Sequence, residues 1–114
     1  MKMKELFDRG EFVVSAEVGP PKGIHVDELV EEAKTYLKGV HAVNVTDNQS
    51  SVMRLGSLAM CKVLKDAGMD PIFQLACRDR NRIALESDLL SAAMLGIENI
   101  LCLTGDHTKM GDHP

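Results

Sequence analysis

The chain has 114 residues, enough for one modest hydrophobic core and too few for two domains of usual size. Its 13 basic and 17 acidic side chains give a net charge of −4. This charge excludes the positive electrostatic field that would attract nucleic acid or an anionic membrane. No apolar run reaches the ~18 residues of a membrane span, and three cysteines without metal-type spacing argue against disulfides or structural zinc. We therefore expect a soluble, cytoplasmic chain that binds neither nucleic acid nor membranes.

Short β-type segments alternate with helical segments along the chain. Branched or aromatic residues predict strands at residues 12–16, 42–45, 71–76 and 99–103. Apolar residues at helical spacing predict three helices, within residues 26–37, 60–67 and 85–93. Each helix is followed by a glycine that can form a left-handed C-terminal cap: Gly39, Gly68 or Gly96. The predicted order is β-α-β-α-β-α-β.

The predicted strands should form one parallel sheet. Their ends, Glu17, Thr46, Leu75 and Thr104, are each 29 residues after the previous one. Strands joined through a helix run parallel with right-handed crossovers, so their C-terminal ends share one edge, where a ligand should bind. An open doubly wound sheet and the first four units of a TIM (β/α)8 barrel both fit this pattern.

Side-chain alternation favours the barrel. Asn44 and Thr46 oppose Val43 and Val45 on the second strand, and the first and third strands show a similar division into an apolar and a polar face. A doubly wound sheet is covered by helices on both faces and normally has apolar residues on each. We therefore predict an α/β fold of parallel (β/α) units that forms a half-barrel.

Two acidic residues at predicted strand ends are candidates for chemistry. Glu17 precedes Val18, Gly19 and two prolines, and in a partly desolvated mouth its carboxyl group could hold a proton and act as a general acid. The alternative is a solvated acid or one paired with a buried base. Asp106 follows Thr104 and Gly105 in the turn after the fourth strand, where a glycine allows close approach of a ligand.

Two polar stretches have alternative interpretations. Residues 46–51 could present hydroxyl and amide groups to a heterocycle, while Ser50 or Ser51 caps the next helix. Residues 78–82 offer cations to a phosphate or carboxylate, but alternating charges before a helix are typical of a solvated face. A metal site near the C-terminus is disfavoured because glycine and proline indicate a loop there; its ligands would be Asp106, His107, Asp112 and His113.

The strand-end residues resemble those of the methylenetetrahydrofolate reductases, flavoproteins that reduce a folate-bound methylene group to a methyl group. The similarity lies in four segments and in their order and spacing: Ser15-Ala16-Glu17-Val18-Gly19-Pro20-Pro21, Val45-Thr46, Gln74-Leu75-Ala76-Cys77 and Leu103-Thr104-Gly105-Asp106. Residues 77–82 resemble a bacterial branch of the family.

The resemblance implies a role for each candidate. Glu17 would be the general acid that opens the imidazolidine ring of 5,10-methylenetetrahydrofolate, and Asp106 would tune the flavin and orient the folate. The flavin, FAD or FMN, would receive hydride from NAD(P)H in a ping-pong reaction that yields 5-methyltetrahydrofolate. The flavin site would be lined by Thr46, Asp47, Gln74, Thr104, Gly105 and Asp106.

The resemblance covers the whole chain but only four of the family's eight βα units. It therefore implies that residues 1–114 are the N-terminal half of one barrel domain, an incomplete half that is inactive alone. Two unpaired sheet edges and an exposed apolar face would favour pairing with another copy, giving a homo-oligomer. The alternative functions are a non-catalytic half-barrel binding or assembly module and a pterin-dependent methyltransferase barrel.

Overall fold

The structure is a computed structural model that describes residues 1–114. It contains four β-strands and four α-helices. The strands are β1 (Ser15–Val18), β2 (Ala42–Val45), β3 (Pro71–Ala76) and β4 (Asn99–Leu103). The helices are α1 (Met3–Asp8), α2 (Asp27–Tyr36), α3 (Ser57–Asp66) and α4 (Arg82–Met94), and three short 3-10 turns lie at Gln49–Ser51, Cys77–Asp79 and Thr108–Met110.

The strands form one parallel sheet with the order β1-β2-β3-β4, and a helix connects each strand to the next. This arrangement confirms the predicted α/β fold with alternating strands and helices. The bounds predicted for β2, β3 and β4 agree with the structure. The three predicted C-capping glycines all have positive φ angles, as a left-handed cap requires: Gly39, Gly68 and Gly96.

The prediction for the first strand is wrong in its position. β1 begins at Ser15, three residues after the predicted start, and Ser15 pairs with Ala42 at the start of β2. Residues 12–14 have the composition of a strand, but Val14 bonds only to His41 before β2, and its N–H donates to the His41 ring rather than to a backbone carbonyl oxygen. Phe12 is accordingly 88% exposed. Strand length here is set by the available partner rather than by local propensity.

The pairing register is a separate quantity from the 29-residue spacing of the predicted strand ends. Glu17 pairs with Asn44, and Asn44 pairs with Ile72. Thr46 therefore lies two residues beyond the level of Glu17 rather than beside it. The strand C-termini still share one edge of the sheet, because all the strands run in the same direction.

The sequence did not predict α1, which is only six residues long. Its first backbone N–H, at Met3, donates a hydrogen bond to Asn99 Oδ1 at 2.7 Å, and Asn99 Nδ2 donates to the carbonyl oxygen of Met1 at 3.0 Å. Both bonds hold α1 against the start of β4. Met3 and Phe7 line a cavity with Asn44 and Leu101 at the N-terminal end of the sheet.

Helices α2, α3 and α4 pack against one face of the sheet and form the hydrophobic core there. On this face Val43 and Val45 of β2 and Phe73 and Leu75 of β3 are almost fully buried. The helices contribute Ala33, Met60, Cys61, Leu64 and Ala92 to the same cluster. The predicted apolar face is thus confirmed. None of the four helices combines the length and the hydropathy that a membrane-spanning helix requires.

The opposite face of the sheet, called the polar face here, carries hydrogen-bonded side chains from three strands. Asn44 Nδ2 on β2 donates to Ser15 Oγ on β1 at 3.4 Å. Gln74 Nε2 on β3 donates to Asn44 Oδ1 at 3.3 Å. This polar row leads toward the C-terminal edge of the sheet, where the candidate site lies.

Candidate functional site

A polar pocket of about 420 Å³ lies at the C-terminal edge of the sheet. All the residues that the sequence analysis assigned to a site line it, namely Glu17, Thr46, Asp47, Gln74, Thr104, Gly105 and Asp106. Gln49, Arg78 and Leu103 complete the lining, and Leu103 is its one hydrophobic member. The predicted convergence of Glu17 and Asp106 on one edge is therefore confirmed, and it follows from the parallel direction of the strands.

Glu17 presents a free carboxylate at this edge. It lies one residue before the end of β1, and it takes part in no hydrogen bond or ion pair with the protein. The side chain is exposed, so the partly desolvated mouth expected around it is not formed by these 114 residues. A carboxyl group without internal partners is available to exchange a proton with a bound molecule.

Asp106, in contrast, is held by two neighbouring loops. Its Oδ2 accepts a hydrogen bond from the backbone N–H of Ser50 at 2.8 Å, and its carbonyl oxygen accepts one from Arg78 Nη1 at 3.0 Å. Gly105 has φ +84°, and a Cβ added there would lie 2.9 Å from Arg78 Nη1. The turn after β4 therefore needs glycine for its backbone angle and for the close approach of the guanidinium.

Asp47 is a buried anion with protein partners for both carboxylate oxygens. Its side chain is 0% exposed. Its Oδ2 accepts from the backbone N–H of Ala76 at 2.8 Å and from Arg80 Nη1 at 2.6 Å, while Oδ1 lies 3.4 Å from Arg80 Nη2. These bonds tie the end of β2 to the end of β3 beneath the pocket.

The prediction that residues 78–82 form a solvated face is wrong for two of the arginines. The side chain of Arg78 is 9% exposed and that of Arg80 is 16% exposed. Arg78 contacts the pocket, and Arg80 bridges Asp47 and Asp88. Arg78 bonds to carbonyl oxygens in the loops after β2 and β4, and Arg80 bonds to Asp47 at the end of β2, so these partners are distant in sequence.

Ion pairing shifts the pKa values of Arg80, Asp79 and Arg78. Burial opposes the charge of Arg80, but hydrogen bonding to Asp47 and the charges of Asp47 and Asp88 outweigh it and raise the pKa of Arg80. Hydrogen bonding to Arg78 lowers the pKa of Asp79, and hydrogen bonding to Asp79 raises the pKa of Arg78. These shifts favour the charged forms of Arg78, Asp79 and Arg80.

The loop between β2 and α3 also differs from its prediction. Helix α3 starts at Ser57, after Gly56, so neither Ser50 nor Ser51 caps it. Both serines have positive φ angles, +60° and +58°, as does Asn48 at +46°. Such angles are costly for residues with a Cβ and require strong local support.

Part of that support comes from the C-terminal segment. Besides the bond from Ser50 to Asp106, the backbone N–H of Met53 donates to Asp112 Oδ2 at 2.9 Å. The backbone N–H of Asp112 donates to the carbonyl oxygen of Ser51 at 3.2 Å. Both aspartates considered as metal ligands thus bind backbone amides, and the structure gathers no group of three or more His, Cys, Asp or Glu residues that could hold a metal ion.

The site predicted from the sequence did not include Gln49 and Arg78, although the stretches 46–51 and 78–82 were considered as ligand contacts. Gln49 Oε1 accepts a hydrogen bond from Thr46 Oγ1 at 2.8 Å, which places the amide at the pocket wall. Arg78 follows β3 by two residues and turns back over the sheet edge. Their positions directly after predicted strands were the available signal, because strand-end loops usually form the ligand site in such folds.

The fold and the pocket define an α/β protein whose candidate site is built from the loops at the C-terminal edge of a parallel sheet. Residues 2–114 match the family model described as methylenetetrahydrofolate reductase. The chain therefore belongs to the methylenetetrahydrofolate reductase family, as its strand-end segments predicted. This membership suggests an oxidoreductase with a folate-related role. A comparison with curated proteins gave no match.

Proposed function

We propose that this chain supplies the first four units of a (β/α)8 barrel that reduces 5,10-methylenetetrahydrofolate to 5-methyltetrahydrofolate with a flavin. The observation that carries the proposal is the common pocket of Glu17 and Asp106 in a chain of this family. The reaction needs an acid that protonates the folate and a group that orients it. Glu17 can provide the first function and Asp106 the second.

The half-barrel architecture is supported by the strand order. A doubly wound sheet reverses its strand order after the first strands, whereas the strands of a barrel follow one another around the axis. Here the order is β1-β2-β3-β4 without reversal, and α2, α3 and α4 contribute to a core on one face. The polar face would then look toward the barrel axis, and residues 1–114 would form the N-terminal half of the domain.

The donor set of the pocket fits the polar edge of a flavin. That edge alternates carbonyl and N–H groups, and the pocket offers hydroxyl and amide groups on Thr46, Gln49, Gln74 and Thr104. Ligand sites are usually lined mainly by apolar residues, but only Leu103 is apolar here. The apolar part of the flavin would therefore be covered by the other half of the barrel. When bound, FAD or FMN supplies the hydride, which it obtains from NAD(P)H.

Glu17 is proposed to donate a proton to the leaving nitrogen as the C–N bond of the imidazolidine ring breaks. The electron pair of that bond remains on the protonated nitrogen, and the methylene carbon becomes an iminium that can accept hydride. Because Glu17 has no internal partner, its carboxyl group is free to contact a bound folate. Folate and the second half of the barrel would cover this carboxyl group and exclude water from it.

Asp106 is proposed to orient the folate beside the flavin. The hydrogen bond from the Ser50 N–H engages only its Oδ2. The other carboxylate oxygen, Oδ1, has no protein partner and can accept a hydrogen bond from an N–H group of the pterin. A negative charge held in this position would also influence the electron affinity of a neighbouring flavin.

The test is Glu17→Gln in the complete barrel protein, with Glu28→Gln on the exposed surface of α2 as the control. Glu17→Gln should bind flavin normally but reduce folate about 10² to 10⁴ times more slowly, as expected for loss of a general acid. Oxidation of NAD(P)H by an artificial electron acceptor should continue, since that half-reaction needs no folate acid. Unchanged folate turnover in Glu17→Gln would remove the proposed acid role.

A second candidate is a non-catalytic assembly module, with homo-oligomer formation through the open sheet. The strand β4 pairs only with β3, and Ile100 and Leu101 on it are 39% and 45% exposed. Such an edge can pair with another chain. Sedimentation of the 114-residue chain with and without flavin separates the candidates, because a stable oligomer that never binds flavin favours the module.

A further inference from the structure

The guanidinium of Arg78 joins three segments at the site. Nη1 donates to the carbonyl oxygen of Asp106 at 3.0 Å, and Nη2 donates to the carbonyl oxygen of Asn48 at 3.2 Å. Nε and Nη2 also bind the two carboxylate oxygens of Asp79 at 2.8 and 2.6 Å. With its side chain only 9% exposed, Arg78 is fixed between the loops that follow β2 and β4.

The same two loops are joined a second time, by the hydrogen bond from the Ser50 N–H to Asp106 Oδ2. Asn48 and Ser50 belong to one turn. Hydrogen bonds therefore connect Arg78 to Asp106, Asp106 to this turn, and the turn back to Arg78. Arg78 holds the backbone carbonyl group of Asp106, and the Ser50 N–H holds its carboxylate. A change in either bond should therefore alter the direction in which the free Oδ1 points.

We propose that Arg78 is a positioning residue that fixes the orientation of the Asp106 carboxylate in the pocket. The inference rests on the proposed role of Asp106 in ligand binding. Arg78 acts through the backbone of Asp106 and through the turn at Asn48, because its N–H groups are directed to those carbonyl oxygens and to Asp79. Gly105 permits this arrangement, since a side chain at that position would meet the guanidinium.

The geometry needs arginine rather than a positive charge alone. A guanidinium is planar and presents five N–H donors in fixed directions, whereas a lysine ammonium is a single point with rotatable donors. One ammonium cannot reach Asp106, Asn48 and Asp79 in the same orientation. Arg78→Lys should therefore retain the charge but lose most of the positioning.

The test is to measure the amide resonance of Ser50 by NMR in the flavin-free chain labelled with ¹⁵N. Asp106→Ala defines the position of that resonance when the hydrogen bond to the carboxylate is absent. Arg78→Met should shift the resonance toward that position, and Arg78→Lys should shift it in the same direction by a smaller amount. Arg82→Met is the matched control, because Arg82 is exposed and its side chain makes no hydrogen bond or ion pair. The Ser50 resonance should not move in this variant.

Flavin binding supplies a second readout in the complete barrel protein. Arg78→Met should raise the dissociation constant for FAD at least about tenfold, comparable to losing a hydrogen bond to a charged group, whereas Arg82→Met should not. If Arg78→Met does not fold, Arg78→Lys decides the matter. A Ser50 resonance unchanged in Arg78→Lys and in any folded Arg78→Met overturns the inference. Failure of the parent protein to bind flavin would overturn the proposed function but not the effect of Arg78 on Ser50.

Discussion

Arg80 Nη1 lies 2.6 Å from Asp47 Oδ2, and this ion pair is buried directly beneath the candidate site. Arg80 also donates from Nε to Asp88 Oδ2 on α4 at 2.8 Å and from Nη1 to the carbonyl oxygen of Ala76 at 2.8 Å. The pair thus connects the ends of β2 and β3 with helix α4. Both charges have several hydrogen-bond partners, which is the condition under which a buried pair is tolerated.

Removing one member of this pair should destabilise the fold strongly. Asp47→Asn is expected to lower the free energy of unfolding by about 3 to 5 kcal/mol, because it leaves Arg80 charged and without its buried partner. Urea denaturation monitored by circular dichroism measures the change. The matched control is Asp88→Asn at the more exposed end of the network, for which we expect a loss of less than about 1 kcal/mol. Equal losses for the two variants would contradict the buried-pair interpretation.

The pair of Arg78 and Asp79 predicts a dependence of stability on pH. Hydrogen bonding to Arg78 lowers the pKa of Asp79 below its ordinary value of 3.8 in the folded chain. The unfolded chain lacks this partner, so the stabilisation is fully present above pH 3.8 and is lost as the pH falls through the lower folded pKa.

NMR titration of the Asp79 carboxyl carbon measures this shift. The midpoint should lie below 3.8 in the parent chain and should return toward 3.8 in Arg78→Met. An Asp79 midpoint that does not respond to Arg78→Met would show that another group controls its titration.

The three cysteines should differ in reactivity. Burial raises the pKa of the Cys61 thiol to about 12, and its side chain is fully buried in the core, whereas Cys77 and Cys102 are exposed. Because the thiolate is the reactive form, iodoacetamide should modify Cys77 and Cys102 in the folded chain and leave Cys61 unmodified. Mass spectrometry counts the modified sites. All three should react in guanidinium chloride, and rapid native modification of Cys61 would contradict its place in the core.

Gly111 should not tolerate a side chain. A Cβ added there would lie 1.7 Å from the carbonyl oxygen of Ser51, which is backbone and cannot move aside easily. Gly111→Ala is expected to destabilise the chain by about 1 to 3 kcal/mol and to disturb the bond between Asp112 and Met53. Gly23→Ala is the control, because an added Cβ there meets no atom within 4 Å.

Thermal unfolding compares the two glycine variants, and the amide resonance of Met53 reports on the local contact. The midpoint should fall in Gly111→Ala and stay close to the parent value in Gly23→Ala. If Gly111→Ala unfolds like the parent and leaves the Met53 resonance in place, the C-terminal segment does not pack on the β2–α3 loop as described.

The sequence predicted the parts of the fold that depend on short apolar runs and on the right-handed connection of parallel strands through helices. The bounds of β2, β3 and β4 follow from short apolar runs between turn residues, and the parallel direction follows from the helices that connect the strands. Parallel direction alone then brings Glu17 and Asp106 to one edge, although they lie far apart in the sequence. The convergence of the site was therefore predictable from topology.

The parts that depend on long-range partners were not predictable. The start of β1 is set by Ala42 on the next strand, and α1 is held by Asn99 at the far end of the chain. Arg78 and Arg80 have the local pattern of a solvated face, but they find partners across the sheet edge. The positive φ angles of Ser50 and Ser51 likewise depend on hydrogen bonds with Asp106 and Asp112.

The polar row formed by Ser15, Asn44 and Gln74 also constrains how the chain can fold. Moving any of these strands by one position along its neighbour would turn the amide toward the helices and an apolar residue outward. The amides would then be buried without partners, which is costly. The row therefore disfavours a one-residue slip of β2 or β3, because such a slip breaks the contacts of Asn44 with Ser15 and Gln74.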